Sequence, residues 1–449
     1  MYNNKDYDSA FLQYASIINT YRTYKGVDKK TISNILGISL PTVYNAINNL
    51  KNIGILRDTQ RPAVNNVHGT TSTRTENLVA LVPDFAFCAS VSIGASLCKF
   101  VILDLDFEMM RHDDFKYHKE VIISELRNCL SETALLDECS KESSRNYIYF
   151  NTPSTFLELK RALDIIFAHL MKTIEDSSKE FRLLSIGITS TGMVNENEKI
   201  VRSASNLKYI ENTTLDNFFF PDKLNYFREN GISLELIQNS NAAVIAEKYT
   251  LSKSPNSSIR DKKNVVAIYL GVGLGAGLYF DQLYSGASGY CGEVGHLPAP
   301  NHETELENNE ICNKSDPYCA CGSSNCFDFK IRKYVFNEKA EDFKEYSSDK
   351  IKTFLESNPA KAALFGKYLG SIVNLLTTIL DIDIIVFTGK LYKSMDLLYN
   401  SIAEIQDEST IKFSRNDCML LTSKYGASAP AVGAAIYSYY KKYNLKLKW

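Results

Sequence analysis

Three cysteines lie close together in the segment CACGSSNC, residues 319–326. Thiolates at such spacing are typical ligands of a tetrahedral zinc ion, whereas three is an odd number for disulfides. Cys319, Cys321 and Cys326 would fill three of the four positions of such a site, so another residue must supply the fourth ligand. The sequence therefore predicts a structural metal site, with free thiols in a loop as the alternative.

A second set of polar side chains, near the N-terminus, is suited to reading DNA. Apolar residues at helical spacing between positions 43 and 50 predict a helix whose opposite face is polar. The side chains on that face are Thr42, Tyr44, Asn45, Asn48 and Lys51. Because Asn and Thr can hydrogen-bond to base edges, we expect this face to lie in the major groove.

Two further helices must position this face. Phe11 and the apolar residues that follow it at helical spacing predict a first helix between residues 8 and 21. A second helix is expected to begin at Asp28, a good N-cap, and to end at Gly37, which tolerates the left-handed conformation. Ser39 can cap the third helix. Three helices in this order are the layout of a helix-turn-helix domain.

A wing can follow the third helix. The segment GILRDTQRP can form a strand that has Arg57 and Arg61 near its tip. The sequence therefore predicts that residues 1–60 form a winged helix-turn-helix domain. This domain would bind double-stranded operator DNA through Ser39, the polar face of the third helix, Arg57 and Arg61. A plain three-helix packing unit with a polar surface is the alternative.

The distribution of charge supports this division. The chain has 449 residues, which is too many for one ordinary core, and its net charge is −2. Residues 1–78 contain nine Lys and Arg against five Asp and Glu, a balance of +4, which leaves −6 for the remainder. A basic head on an acidic body favours a nucleic-acid module attached to a larger domain.

Composition indicates the class of protein and its expected cellular location. With 45% hydrophobic and 23% charged residues, the chain has the composition of a globular protein. The first residues show no secretory signal and the ten cysteines are scattered, so we expect a reducing, cytoplasmic location. The apolar run at 264–280 carries four glycines and is short for a membrane span. We therefore expect two buried strands there and no membrane association.

The remainder of the chain has the pattern of an α/β protein. Residues 61–78 are rich in Thr and Asn and lack periodicity, which predicts a linker. From 79 to 449, strand-like runs alternate with helical stretches in two similar blocks. This pattern predicts an α/β fold with two lobes and a cleft, and binding sites at the strand ends.

Five motifs closely resemble the signature of the ROK family, which is named for repressors, open reading frames and sugar kinases. The motifs are GVGLGAGLYFDQLYSGASGYCGEVGH at 271–296, CACGSSNCFD at 319–328, GITSTGMV at 187–194, SNLKYIENTTLDNF at 205–218 and APAVGAA at 429–435. The N-terminal helix-turn-helix is similar to the family's transcriptional repressors of N-acetylglucosamine, glucose and xylose use. The resemblance implies a two-lobed, actin-like sugar-kinase body that also dimerises, so that the protein is a homodimer or a dimer of dimers.

The resemblance also implies the fourth metal ligand. In the family, a histidine of a Gly-His pair and three cysteines hold a structural zinc. The corresponding residues here are His296, Cys319, Cys321 and Cys326. Asn325 replaces a glycine of the family pattern, and a longer preceding stretch adds Cys312 as a substitute ligand to consider.

The parts that the family's kinases need for catalysis are altered. Those kinases carry an Asn-Asp pair before a helix, in which the aspartate is the general base, and this chain has Gln238 and Asn239. An amide cannot accept the proton of a sugar hydroxyl. Ser92 replaces the aspartate of the first phosphate loop, and Val272 removes a hydroxyl from the second. We therefore expect that the protein is not an enzyme.

Sugar recognition is expected to persist without catalysis. The resemblance implies a cleft lined by Asn206, Gln238, Asn239, Glu293, His296 and Asp328. Asp328 stands where the family commonly has a glutamate. Amide and carboxylate groups can hydrogen-bond to sugar hydroxyls, so we expect a regulator, most simply a repressor, that senses a sugar or sugar phosphate. The alternatives are a sugar kinase that has a DNA-binding head and a regulator controlled by a protein partner.

Overall fold

The structure, a computed structural model, describes most of the chain as a helical head followed by two α/β halves. The described ranges are 4–24, 27–59, 78–110, 113–130, 147–176, 182–302, 319, 321–339, 341–408 and 418–447. Arg61, Cys312 and residues 61–77 of the expected linker lie outside these ranges. The mixture of strands and helices agrees with the predicted α/β class.

The head contains the three helices that the sequence predicts. They are α1 (Asn4–Thr23), α2 (Lys29–Leu36) and α3 (Leu40–Asn52). The Asp28 side chain accepts a hydrogen bond of 2.8 Å from the Thr31 amide at the start of α2. Gly37 ends α2 with φ of 65°, in the left-handed region that favours glycine. Ser39 caps α3, so these helix ends are set by local sequence.

The wing is built from two distant segments. Strand β1 (Leu56–Thr59) pairs antiparallel with β2 (Leu78–Leu81). The second wing strand therefore follows the expected linker, and the predicted boundary between residues 78 and 79 falls inside this strand. The division into domains otherwise stays a prediction.

The first half of the body is built around a five-stranded sheet. Its strands are β3 (Phe87–Ile93), β4 (Leu97–Leu103), β5 (Tyr147–Asn151), β6 (Leu183–Ser190) and β10 (Ser233–Gln238). The order is β10-β6-β3-β4-β5, in which β3, β6 and β10 are parallel. A small sheet adds β7 (Met193–Asn195), β8 (Ile200–Ser203) and β9 (Thr213–Thr214). The helices of this half are α4 (Asp113–Cys129), α5 (Phe156–Asp176) and α6 (Pro221–Glu229).

The second half is built around a four-stranded sheet. Its strands are β11 (Asn264–Leu270), β12 (Leu274–Phe280), β13 (Ile384–Gly389) and β14 (Met419–Thr422), in the order β12-β11-β13-β14. The expected strand pair at 264–280 is confirmed as the hairpin of β11 and β12. The helices that follow β10 are α7 (Asn239–Ser252), α8 (Ser257–Arg260), α9 (Phe327–Lys330), α10 (Ser348–Ser357), α11 (Pro359–Leu380), α12 (Met395–Asp407) and α13 (Ala429–Lys442). 

Helix α11 is long and apolar enough to match a membrane span by length and composition. In this structure it contributes fully buried side chains to the core of the second half, among them Phe365, Tyr368 and Leu369. The core helices of globular proteins can have the same length and composition, and the burial of these side chains makes α11 a core element of the second half.

Helices α7 and α13 cross almost in backbone contact. A Cβ atom added to Gly433 of α13 would lie 1.7 Å from the carbonyl oxygen of Ala242 in α7. A Cβ on Gly187 of β6 would lie 2.2 Å from the carbonyl oxygen of Ala434. Because no larger residue fits at these two positions without displacing backbone, β6, α13 and α7 form one rigid layer.

The head is attached to the body through a buried arginine of α1. Arg22 has no exposed surface, and its guanidinium lies 3.9 Å from the ring centre of Phe107 and 4.4 Å from that of Tyr439 in α13. Its Nε donates to the Leu105 carbonyl, and its Nη1 donates to Asn19 Oδ1 at 3.2 Å. We call these five residues, together with Tyr440, the head–body joint.

Tyr440 strengthens the head–body joint, since its hydroxyl donates to Asn19 Oδ1 at 2.5 Å. Phe11 of α1 also stacks on Tyr443, with ring centres 5.4 Å apart. The head and the body therefore share one apolar core cluster at this point.

Candidate functional site

A cavity of about 120 Å³ opens where β10 meets α7. The carboxyl ends of the parallel strands β3, β6 and β10 meet there, because Ile93 and Gln238 both pair with Ser190. All six residues that the resemblance placed in a sugar cleft line this cavity, which we call the sugar cavity: Asn206, Gln238, Asn239, Glu293, His296 and Asp328. The structure thus brings the predicted set together, while their contact with a ligand stays a prediction.

The sugar cavity contains buried polar atoms that lack a protein partner. Gln238 Nε2 donates to Glu293 Oε1 at 2.8 Å, but Gln238 Oε1 and Ser240 Oγ are buried and have no hydrogen-bond partner among the described residues. Burial also raises the pKa of Glu293, despite the hydrogen bond from Gln238. Because unpaired buried polar atoms are costly, these groups favour a hydroxyl-bearing ligand or ordered water at this position.

Asn239 is held by the protein. Its Oδ1 accepts hydrogen bonds from Thr189 Oγ1 and, at 3.5 Å, from Ser92 Oγ, while its Nδ2 donates to the Ile93 carbonyl at 3.3 Å. The amide therefore joins the ends of β3 and β6 to the start of α7. An amide suits this position because one side of it faces hydroxyl donors and the other faces a carbonyl acceptor.

Asp328 and a residue that sequence reasoning missed, Arg332, hold the glycine-rich turn between β11 and β12. Asp328 Oδ1 accepts from the Leu274 amide at 2.8 Å, and its Oδ2 lies 3.7 Å from Arg332 Nη1. Arg332 Nη1 also donates to the Val272 carbonyl at 2.9 Å. Asp328 and Arg332 are both nearly fully buried. Their spacing of four residues, which brings side chains together on one face of a helix, is the sequence signal that could have predicted the pair.

A buried carboxylate also missed by sequence reasoning anchors the loop that leads to Glu293. Glu196 Oε1 accepts from Asn241 Nδ2 of α7, and its Oε2 accepts from Ser285 Oγ of that loop, both at 2.9 Å. Burial raises the pKa of Glu196, although these two hydrogen bonds oppose the shift. This contact links α7 to the loop on which Glu293 and His296 lie.

The predicted metal ligands form one cluster beside the sugar cavity. Their ligand atoms all lie within 4.8 Å of one another in His296, Cys319, Cys321 and Cys326. The neighbouring distances are 3.4 Å from Cys319 Sγ to His296 Nδ1, 3.2 Å from Cys319 Sγ to Cys321 Sγ and 3.7 Å from Cys321 Sγ to Cys326 Sγ. Tetrahedral zinc requires separations of roughly 3.6 to 3.8 Å between such ligands. The cluster can therefore hold a metal ion of this size.

The cluster is directly connected to the sugar cavity. His296 Nδ1 faces the cysteines, whereas its Nε2 lies 3.7 Å from Glu293 Oε2. Cys319 also lines the sugar cavity. A metal ion held here would fix the ring of His296 and, through it, the position of the Glu293 carboxylate.

The polar face of α3 is exposed, as the sequence predicts. Thr42, Asn45 and Asn48 are exposed, while Ser39 Oγ caps the helix by accepting from the Thr42 amide at 3.3 Å. Two other residues that the sequence predicts to contact DNA, Tyr44 and Lys51, already contact side chains of the head itself. The ammonium of Lys29 lies 4.2 Å from the ring centre of Tyr44.

The second engaged side chain is Lys51, which forms an ion pair with Asp58 of β1. Arg57 is exposed on the same strand. The predicted DNA-binding residues that the structure describes thus lie on α3 and the wing, and their contact with DNA stays a prediction.

Comparisons with known proteins agree with this architecture. A curated relative, the xylose repressor of Bacillus spizizenii, is 24% identical over 319 residues, which cover 69% of this chain and 72% of the repressor. The N-acetyl-D-glucosamine kinase of Pasteurella multocida is 27% identical over 197 residues, which cover 42% of this chain and 64% of the kinase. A repressor and a kinase are thus both among its relatives.

Solved structures show the same fold. A ROK family transcriptional regulator, a homologue of the E. coli MLC protein, has a TM-score of 0.64 at 16% identity and covers 96% of this chain and 98% of its own. A ROK glucokinase from Streptomyces griseus, solved with glucose and AMPPNP, has a TM-score of 0.53 at 16% identity and covers 78% of this chain. The sequence model of the ROK family matches residues 129–439. The chain therefore belongs to the ROK family.

Proposed function

We propose that this protein is a transcriptional regulator, acting as a repressor, that binds operator DNA through its head and a sugar or sugar phosphate in the sugar cavity. The observation that carries the proposal is that one chain has both an exposed polar helix face in its head and a polar cavity in its body. The head exposes the polar face of α3, and the body holds buried polar atoms of Gln238 and Ser240 that have no partner within the described part of the chain. The similarity to xylose repressors supports the same function.

The side chains of the cavity support ligand binding without phosphoryl transfer. Asn239, at the position of the family's general base, is an amide whose oxygen already accepts hydrogen bonds from Thr189 and Ser92. Ser92 and Val272 also lack the groups that the kinases use on their phosphate loops. Ligand binding is therefore expected to act only by its differential affinity for two arrangements of the protein.

The relatives that are kinases make catalysis the competing function. Incubation of the protein with ATP, magnesium and any sugar that binds, followed by measurement of ADP, separates the two. We expect no turnover above background. ADP formation that is lost in a Glu293→Ala variant would establish a kinase, since a contaminating enzyme would be unaffected by the substitution.

Zinc is the metal that best fits the cluster of His296 and the three cysteines. Three thiolates and one imidazole form a closed donor set, which is characteristic of a structural zinc site. When bound, the ion would supply local folding energy and no reaction step. The residues themselves would hold the loop that presents Glu293 to the sugar cavity.

A thermal-shift screen of the full-length protein against sugars and sugar phosphates tests the ligand assignment. A ligand that binds only the folded state raises the apparent melting temperature, by an amount that grows with its concentration. We expect at least one positive compound, and we expect the shift to disappear in a Glu293→Ala variant. A uniformly negative screen would favour control by a protein partner.

Selection from a random DNA pool tests the head. One recognition helix reads a half-site, so a homodimer is expected to select a two-fold symmetric sequence. Asn45→Ala should relax the selected sequence, with a loss of roughly 1 to 3 kcal/mol of discrimination. Arg57→Ala should instead weaken binding to all sequences and reduce its salt dependence. Unchanged sequence preference in Asn45→Ala would contradict the role of α3.

A further inference from the structure

A second, larger cavity of about 900 Å³ adjoins the sugar cavity. Ala95 and Asn206 line both, so the two cavities share a wall. The charged side chains that line the larger one are Lys99, Lys208, Lys344, Lys390, Lys393, Glu345 and Asp349. We call it the lysine cavity.

The lysine cavity has an excess of positive charge. Five lysines line it against two carboxylates. One of those carboxylates is already neutralised, because both oxygens of Asp349 accept from Lys393 Nζ at 2.7 Å. The other charged side chains that line the cavity are four lysines and Glu345, and this excess of positive charge suits an anionic group.

Lys390 is the most unusual of these lysines because its side chain is nine-tenths buried. Its Nζ donates to the carbonyl oxygen of Phe343 at 3.1 Å, a neutral partner that does not balance the charge. Burial lowers the pKa of Lys390 to about 7, although the nearby Glu345 carboxylate opposes this shift. Burial of an ammonium is costly even with one carboxylate nearby, and an anion bound beside Lys390 would reduce that cost.

A hydroxyl group lies near the wall that the two cavities share. Ser96 follows Ala95 directly and lines the lysine cavity. Its Oγ is buried and has no hydrogen-bond partner among the described residues. A hydroxyl and an ammonium are both good donors to phosphate oxygens, and hydrogen bonds to a charged acceptor are stronger than neutral ones.

We propose that the effector is a phosphorylated monosaccharide, which places its ring in the sugar cavity and its phosphate in the lysine cavity near Ser96, Lys99 and Lys390. The inference rests on the proposed function and decides between its two ligand classes. The neutral hydroxyls would meet Gln238 and Glu293, whereas the phosphate would meet the excess of lysines across the shared wall.

Isothermal titration calorimetry of the full-length protein tests this assignment. The ligands are glucose, N-acetylglucosamine and xylose, each paired with its phosphate ester at the terminal carbon, with inorganic phosphate and ADP as separate ligands. For at least one pair we expect the ester to bind about tenfold or more tightly than the parent sugar, as charge-assisted hydrogen bonds would produce. The parent sugar should bind in the same cavity.

Variants identify the source of the preference. Lys390→Met should reduce the preference for the ester about tenfold and leave the affinity for the parent sugar unchanged. Lys263→Met is the matched control, because this lysine is exposed and lies 3.7 Å from Asp281 on the β11–β12 hairpin, outside both cavities. Lys99→Met replaces Lys390→Met if circular dichroism shows that the latter does not fold.

Three outcomes would overturn the inference. Equal affinity for a sugar and its ester, in wild type and Lys390→Met alike, would contradict it and leave the proposed sugar-responsive function intact. ADP binding that competes with the ester and is lost in Lys390→Met would assign the lysine cavity to nucleotides. Absence of binding by every sugar and every ester would contradict the proposed function itself.

Discussion

At the scale of single residues, Asn239 shows how an amide differs from the carboxylate that has the same shape. Asn239→Asp would place a carboxylate oxygen against the Ile93 carbonyl, to which the amide now donates. We expect a loss of roughly 1 to 3 kcal/mol in the free energy of unfolding and no kinase activity. Urea denaturation checks the first expectation, with the exposed Asn45→Asp as control. An unchanged midpoint would show that the hydrogen bond to Ile93 contributes nothing.

Replacement of a single cysteine tests the metal site. Cys321→Ser should release the metal and weaken ligand binding, because the cluster positions the loop of His296 and Glu293. Elemental analysis of the purified protein measures the metal, and Cys418→Ser, outside the cluster, serves as control. Full zinc content in the Cys321→Ser variant would indicate that Cys312 or another residue completes the site.

The residues of the sugar cavity could be predicted as a group but not in their contacts. All six residues that motif resemblance predicted line the cavity, together with others that it did not predict, such as Ser240 and Arg332. It did not predict that Asn239 and Asp328 bond to backbone groups of Ile93 and Leu274, because such partners depend on how distant strands end beside each other. Arg332 was missed because a basic residue on a helix is usually exposed.

At the scale of elements, helix α7 carries a buried acid that makes stability depend on pH. Burial raises the pKa of Glu247 from 4.5 to about 7, although Ser423 donates a hydrogen bond to it. Between these two values the folded protein retains a proton that the unfolded chain releases, so stability falls as pH rises. A glutamine at position 247 does not ionise, so its contribution to stability does not change with pH in this range.

The expected result is a stability difference that depends on pH. The free energy of unfolding of Glu247→Gln, measured relative to wild type, should increase by roughly 2 to 3 kcal/mol as the pH rises from about 4 to about 8. Urea denaturation of both proteins across this range measures the difference, which removes the contributions of other titrating groups. A difference that is constant with pH would show that Glu247 ionises normally in the folded state.

Elements defined by local sequence were the ones that could be predicted. The caps at Asp28 and Ser39 and the stop at Gly37 are short-range signals, and each appears in the structure. The pairing of β1 with β2 could not be predicted, since these strands lie on opposite sides of the expected linker and their register depends on contacts distant in sequence.

At the scale of the whole molecule, a continuous buried path runs from the sugar cavity to the head. Helix α7 begins at the cavity and packs against α13, and α13 holds α1 through Tyr439 and Tyr440. Arg22→Ala removes the cation–π contacts of the head–body joint and leaves the sugar cavity untouched. We therefore expect ligand affinity to persist while the effect of ligand on DNA affinity is reduced.

Titrations of labelled operator DNA with and without the effector measure this coupling. Leu12→Ala is the matched control, because this residue is also in α1 but is 65% exposed. Equal regulation in wild type and Arg22→Ala would mean that the coupling bypasses the joint. A melting temperature measured in parallel separates this effect from a loss of overall stability, which cation–π contacts would change by about 1 to 2 kcal/mol.

The head–body joint also bears on how such regulators can be recombined. A head transplanted onto a body without aromatic residues at the positions of Phe107 and Tyr439 would bury the Arg22 guanidinium without its two aromatic neighbours, and the buried charge would then disfavour docking. A working chimera must carry Phe107 and Tyr439 along with α1. The head, which would select the operator, and the body, which would select the effector, therefore cannot be exchanged independently. A new head must match the surface of the body on which it packs.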